Sequence, residues 1–157
     1  MARPADARAI AAIYNAEVTG STATFDLRPR TLAQQRSWLR RHGGAHPVLV
    51  AVVDGQVVGF ASLSPYRDRP GYATTVEDSV YVDARFRGAG VGRALLEHLV
   101  ALATGHGFHT MMARISGDNE ASVALHRACG FVVVGIEREV GRKFGRWLDV
   151  TVMQRML

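Results

Sequence analysis

The chain is poor in the residues that tie a protein together or anchor it in a bilayer. Its single cysteine, Cys129, excludes an intrachain disulfide and any multi-cysteine zinc site, and no metal is expected. No run approaches the roughly 18 consecutive apolar residues that a membrane-crossing helix needs, so no membrane partner is expected. Lysine is nearly missing too: Lys143 is the only one among 19 basic residues, the others all being arginine. The opening Met1-Ala2-Arg3-Pro4-Ala5-Asp6 has positive charge with no apolar stretch behind it, which is not a secretory pattern; the cytoplasm is the expected compartment. No internal repeat, linker or low-complexity segment interrupts the chain.

What remains is the material of one globular domain over residues 1–157, with 48% hydrophobic residues to build a core. A net charge of +5 fits either a nucleic-acid surface or attraction for the phosphates of a cofactor or an anionic substrate. The arginines are scattered, apart from Arg40-Arg41 and Arg85-Phe86-Arg87. A solvated basic face with no nucleic-acid partner is therefore the expectation.

Apolar residues at Ala9, Ile10, Ile13, Tyr14 and Ala16 form one stripe of a helix over Asp6 to Val18. Thr31 with Gln34 reads as a capping box for a second helix, with Trp38 and Leu39 facing inward before His42-Gly43-Gly44 ends it. The period then changes: Val48–Val53 and Gln56–Leu63 flank Asp54-Gly55, a hairpin signal. Strands are expected at Ala73–Val82, Thr110–Ile115, Val132–Val140 and Leu148–Met156, and helices at Ala94–His106 and Asn119–Cys129, the latter closed by Gly130. The pattern predicts an α+β, mixed α/β fold with a sheet of about six or seven strands. An edge strand before the first helix would be usual in such a sheet, yet only about four residues precede Ala5.

A strand, a glycine loop and a helix follow one another through Val80-Tyr81-Val82 and Arg87-Gly88-Ala89-Gly90-Val91-Gly92-Arg93. Glycines let the backbone turn its amide groups inward, and the helix start adds its positive dipole end, so the loop is built for an anion. The loop ends Gly92-Arg93-Ala94 rather than Gly-Lys-Ser/Thr, which argues against a nucleotide triphosphate site. Its place in mid-chain after a hairpin argues against a dinucleotide fold. A coenzyme pyrophosphate and a purely structural turn are the readings left.

Arg87 to Gly92 resembles the Q/R-x-x-G-x-G/A signature of the GNAT N-acetyltransferases, and Asn119 with Ala128-Cys129-Gly130-Phe131 resembles that family's later cofactor-bordering helix. The resemblance narrows to the phosphinothricin and methionine sulfoximine N-acetyltransferase branch through Tyr14-Asn15, Ser21–Phe25, Val76–Val82, Ser122–His126 and Gly141–Asp149, which run in order along nearly the whole chain. It implies a GNAT fold with about four helices around the sheet, acetyl-CoA as cosubstrate, a homodimer, and acetyl transfer to the amine of a small amino-acid-like molecule. Val80, Tyr81 and Val82, the loop Arg87–Arg93, Asn119 and Ser122 are implied as the cofactor-binding residues.

Attack on a thioester needs a neutral amine, and hence a base. The resemblance gives that role to Glu77, where an unaided reading would see a solvated strand residue. His126 stands where many of these enzymes carry a tyrosine that protonates the departing thiolate; it can donate a proton, hold substrate, or be structural. Phe25, Tyr72, Thr74, Lys143 and Trp147 match or adjoin acceptor-pocket positions of the branch, with core packing the competing reading for the aromatics. Lys143, or Arg67 or Arg69, would suit an acceptor carboxylate. Relatives acting on methionine sulfone often show arginine where Ala73 stands, so the acceptor is held differently or is a different molecule. Two further readings are acetylation of a protein N-terminus or antibiotic amine, and a non-catalytic nucleotide- or nucleic-acid-binding module.

Overall fold

The computed structural model describes all 157 residues. Four helices surround one six-stranded sheet of order β1-β2-β3-β4-β6-β5. In chain order these are α1 (Ala7–Gly20), α2 (Leu32–Arg41), β1 (Val48–Val53), β2 (Gln56–Pro65), β3 (Thr75–Val82), α3 (Val91–Gly105), β4 (Thr110–Ser116), α4 (Glu120–Ala128), β5 (Val132–Lys143) and β6 (Arg146–Met156). Short 3₁₀ turns lie at Pro4–Asp6, Pro70–Tyr72 and Ala84–Phe86. This is the mixed α/β architecture expected from the periodicity.

The local signals act as their chemistry requires. Thr31 Oγ1 accepts from the Gln34 amide at 3.2 Å and Gln34 Oε1 from the Thr31 amide at 2.8 Å, closing the capping box of α2. Asn119 caps α4 through the Ser122 amide at 3.1 Å. Several boundaries differ from expectation: β3 begins at Thr75 rather than Ala73, α1 spans Ala7–Gly20 rather than Asp6–Val18, and two further differences bear on the site. Helix α3 begins at Val91, not Ala94, because Gly90 at its N-cap has φ 82° and lets the loop turn straight into the helix. The last hairpin turns at Phe144-Gly145, so β5 continues through Gly141 to Lys143, and the glycine at 141 serves a close approach: the Phe25 ring fills the space a side chain there would need. No strand precedes α1; the Ala2 amide gives one hydrogen bond, 2.8 Å, to the Val48 carbonyl at the β1 edge.

Side chains alternate across the sheet and define two cores. One face is packed by α3 through Leu95, Leu96, Leu99 and Ala103 against Ala61, Leu63, Val76, Met111 and Ala113. The other carries α1, whose Ile10, Ile13, Tyr14 and Val18 meet Val48 and Phe60, with Trp38 and Leu39 of α2 packed alongside.

The seam between β3 and β4 positions the site. These neighbours are parallel and pair only at Thr75–Thr110, Val76–Met111 and Glu77–Met112, although both strands run on, to Val82 and Ser116. Everything beyond Glu77 opens as a gap within the sheet, with β1-β2-β3 on one side and β4-β6-β5 on the other.

Candidate active site

A cleft of about 540 Å³ enters this gap, bounded by Val80–Val82 of β3, the loop around Gly88 and Gly90, and the first turns of α4 at Asn119 and Ser122. The first amides of α3 have no partner within the helix, and no acidic residue occupies its first turn. Arg87 and Arg93 line the cleft beside them, paired with Glu17 and Glu97, so the free amides are what suits this part of the cleft to phosphates. A Cβ built at Gly88 or Gly90 meets nothing within 4 Å, so the backbone there faces open space that a ligand can approach. These residues fit the pyrophosphate of coenzyme A. Arg87 is steadied from behind by an ion pair with Glu17 of α1, and its Nε donates to the Val82 carbonyl at 3.2 Å.

Tyr81 has its ring in the core, stacked on Phe60 with centroids 5.2 Å apart and edge-on to Tyr14 at 5.2 Å. By alternation Glu77, Ser79 and Tyr81 share the α1 face of β3, whereas Asp78, Val80 and Val82 share the α3–α4 face. Two consecutive carboxylates thus stand on opposite faces of the sheet where the seam opens.

Glu77 is half-buried. Burial pushes its pKa above the usual glutamate value and Asp78 adds to the rise, while Arg114 opposes it. Arg114 lies two residues beyond Met112, the β4 partner of Glu77, and therefore on the same face; its Nη1 donates to Glu137 Oε1 at 2.7 Å. Arg67 and Glu137 also act on Glu77.

On the other face His126 Nε2 lies 3.0 Å from Asp78 Oδ2, and Nδ1 lies 2.7 Å from the Ser122 carbonyl. The side chains are 5% and 1% exposed, so the pair is sealed. A carbonyl only accepts, so Nδ1 carries a hydrogen. Burial by itself lowers the imidazole pKa, but the Asp78 carboxylate and the Ser122 carbonyl outweigh it and leave it above the ordinary value. Both ring nitrogens are engaged, and His126 meets the gap beside Asp78 rather than beside Glu77.

The predicted acceptor residues are placed less uniformly. A loop over residues 21–30 folds across the cleft and is fastened by α1: Tyr14 bonds Thr24 at 2.9 Å and Asp26 at 2.7 Å, and the Asn15 amide pairs with both backbone groups of Arg30. That explains the Tyr14-Asn15 element in the sequence, and it sets Phe25 against β5 at Gly141. Lys143 is 3% exposed, its Nζ donating to the Thr24 carbonyl at 2.8 Å and the Glu17 carbonyl at 3.3 Å, so its ammonium is occupied within the protein. Tyr72 is exposed and packs edge-on to Tyr66. Trp147 is exposed on β6, with Arg142 5.4 Å over its ring. Thr74 precedes β3 and its carbonyl accepts from the His109 and Thr110 amides. Asp78, Arg114 and Glu17 are the site residues that sequence reasoning missed. No group of three or more His, Cys, Asp or Glu side chains is placed to hold a metal ion, and no helix is long and apolar enough to cross a membrane.

A sheet parted beside an amide-lined glycine loop is the architecture of an acyl-CoA-dependent transferase, and the acetyltransferase (GNAT) family model matches residues 10–131. The chain belongs to that family; it is an acetyl-CoA-dependent N-acetyltransferase. It is 44% identical over 152 residues to an L-methionine sulfoximine/L-methionine sulfone acetyltransferase of Pseudomonas aeruginosa, covering 96% of this chain and 88% of that one. Among solved structures, a phosphinothricin acetyltransferase of Sinorhizobium meliloti in complex with acetyl-CoA superposes with a TM-score of 0.96 at 41% identity, over 99% of this chain and 85% of that one. A ribosomal-protein-alanine N-acetyltransferase of Brucella melitensis gives a TM-score of 0.97 at 43% identity, over 99% and 97%.

Proposed function

We propose that residues 1–157 form one catalytic domain that acetylates the primary amine of an amino-acid-like acceptor of the phosphinothricin, methionine sulfoximine or methionine sulfone type, with Glu77 as the base. The observation that carries this reading is Glu77 at the opening of the β3–β4 seam, its carboxylate destabilised by burial and so a better proton acceptor near neutral pH. Acetyl-CoA supplies an activated acetyl thioester. In this reading Val80–Val82, Arg87–Arg93, Asn119 and Ser122 hold that molecule along the cleft, and Glu77 removes the ammonium proton of the acceptor, directly or through water.

Arg67, an exposed cation whose charge reaches Glu77, is the one we assign to the acceptor carboxylate, since Lys143 already serves two backbone carbonyls and Arg114 is paired with Glu137. Of the other predicted acceptor residues, Phe25 lies on the side of β5 that Gly141 leaves open, whereas Trp147, next to the Gly141 partner Leu148, faces the opposite layer. His126 acts from behind Asp78 in this scheme.

Release of free coenzyme A thiol from acetyl-CoA, measured against phosphinothricin, methionine sulfoximine, methionine sulfone, common amino acids and short peptides, tests the substrate class. Turnover is expected on the amino-acid analogues; activity on peptides alone would replace that class with protein N-termini, a second reading favoured by the likeness to the Brucella enzyme. We also propose a cytoplasmic homodimer. The edge strand β5 leaves Val132, Val133, Val134 and Ile136 in solvent, an apolar stretch with an unpaired strand edge that a second copy would cover. Sedimentation of wild type and Val134→Lys checks it, a dimer becoming a monomer being the expected result.

A further inference from the structure

Helix α4 forms one wall of the cleft, yet it is anchored in an unusual way. Its one fully buried residue is His126, a polar side chain, while Val123 and Leu125 are only partly buried against the core. The partner of His126 is Asp78, 48 residues earlier on β3, where the strands have just parted. A buried ionic pair is poor as a source of stability, because desolvation offsets most of its attraction, but it is demanding in geometry. Its second oxygen is also unusual. Asp78 Oδ1 is buried with no hydrogen-bond partner in the protein, and Asp78 lines a cavity of about 60 Å³ in the gap.

We propose that Asp78 is a positioning residue for acetyl transfer: Oδ2 fixes His126, His126 fixes the Ser122 carbonyl, and the α4 wall formed by Asn119 and Ser122 is thereby held in register with Val80–Val82. Oδ1 is the acceptor left for a hydrogen-bond donor in the gap. The linkage is continuous in the structure, from Asp78 to His126 at 3.0 Å, to the Ser122 carbonyl at 2.7 Å, and from the Ser122 amide to the Asn119 cap at 3.1 Å. Other charged groups stand around the pair without bonding to it: Glu77 on the opposite face of β3, Arg114 on β4, Arg93 and Glu97 of α3 beside Cys129, and Arg155 of β6 on the Cys129 carbonyl. The inference rests on the cleft being the acetyl-CoA site, and the experiment separates the two.

Coenzyme A binding by calorimetry, with His126 titrated by NMR in the ligand-free protein, is compared for wild type, Asp78→Asn, the apolar double variant Asp78→Leu/His126→Leu, and Gly90→Val. In Asp78→Asn the His126 pKa falls and coenzyme A binds about tenfold more weakly or worse, while the KM for acceptor is unchanged. The double variant keeps the wild-type melting temperature or exceeds it, yet does not recover coenzyme A affinity; it carries the test should Asp78→Asn fail to fold. Gly90→Val loses coenzyme A binding. Wild-type affinity in a folded Asp78→Asn or double variant, with Gly90→Val still defective, overturns the positioning role and leaves the cleft. Wild-type affinity in Gly90→Val overturns the cleft and the positioning role with it.

Discussion

The two sides of the seam are made from different materials. On the α3–α4 side the cleft is shaped by backbone: a positive-φ glycine at the start of α3, free helix amides, and a strand whose β4 edge is unpaired beyond Glu77. On the α1 side it is shaped by side chains carried on a fastened loop and two hairpin strands, several of them exposed or engaged with one another. A backbone-built site tolerates exchange of most side chains but not of the few glycines that set its dihedrals. A side-chain-built site can change its ligand by changing single residues. The fold therefore keeps one partner constant on one side and leaves the other adjustable.

That contrast can be broken most forcefully at Gly90. A β-branched residue at φ 82° is strained by about 1–3 kcal/mol and would also intrude on the phosphates, so Gly90→Val should lose measurable coenzyme A binding in calorimetry. On the other side, Glu77→Gln should lower kcat by about 10²–10⁴-fold with little change in coenzyme A affinity, as steady-state kinetics and calorimetry together would show. The pH dependence carries a sign. The base acts deprotonated and its pKa is raised, so the acidic limb of kcat/KM should lie above the ordinary glutamate value of 4.5 and vanish in Glu77→Gln.

Lys143→Met strands two backbone carbonyls and should cost about 1–3 kcal/mol in denaturant unfolding, which sharpens the comparison by showing how the acceptor loop is tied. Thr31→Ala, far from either side, should cost only about 1 kcal/mol and leave kinetics alone. His126 adds a second sign. Its folded pKa is raised above 6.5, so the stability it contributes is fully present below pH 6.5 and is lost as pH rises through the higher folded value. Urea unfolding across pH 6 to 9 reads that slope, and Asp78→Asn should flatten it.

The backbone-built side was largely legible in the sequence because its signals are local: three glycines at alternate positions, a strand before them and a helix after. The capping box of Thr31 and Gln34 was legible for the same reason, acting over three residues. Lys143 was not, because the carbonyls that hold it come from 119 and 126 residues away. Asp78 was missed although a signal existed. In a strand, the residue after an outward glutamate must face the opposite layer, and a buried aspartate there demands a partner, which the histidine on α4 supplies. Arg114 could be found only through register, since nothing along the chain places it beside Glu77.

The short pairing between β3 and β4 has a consequence for motion. Two three-stranded halves meet over only three residue pairs, so the middle of the sheet, usually the slowest region to exchange its amide hydrogens, should here contain a fast-exchanging stripe. The amides of Asp78–Val82 that do not point to β2 should exchange with deuterium far sooner than those of β2 or β6. A ligand lying in the seam should slow them by bridging the halves, so that saturation of the cleft is recorded as rigidity at the centre of the molecule.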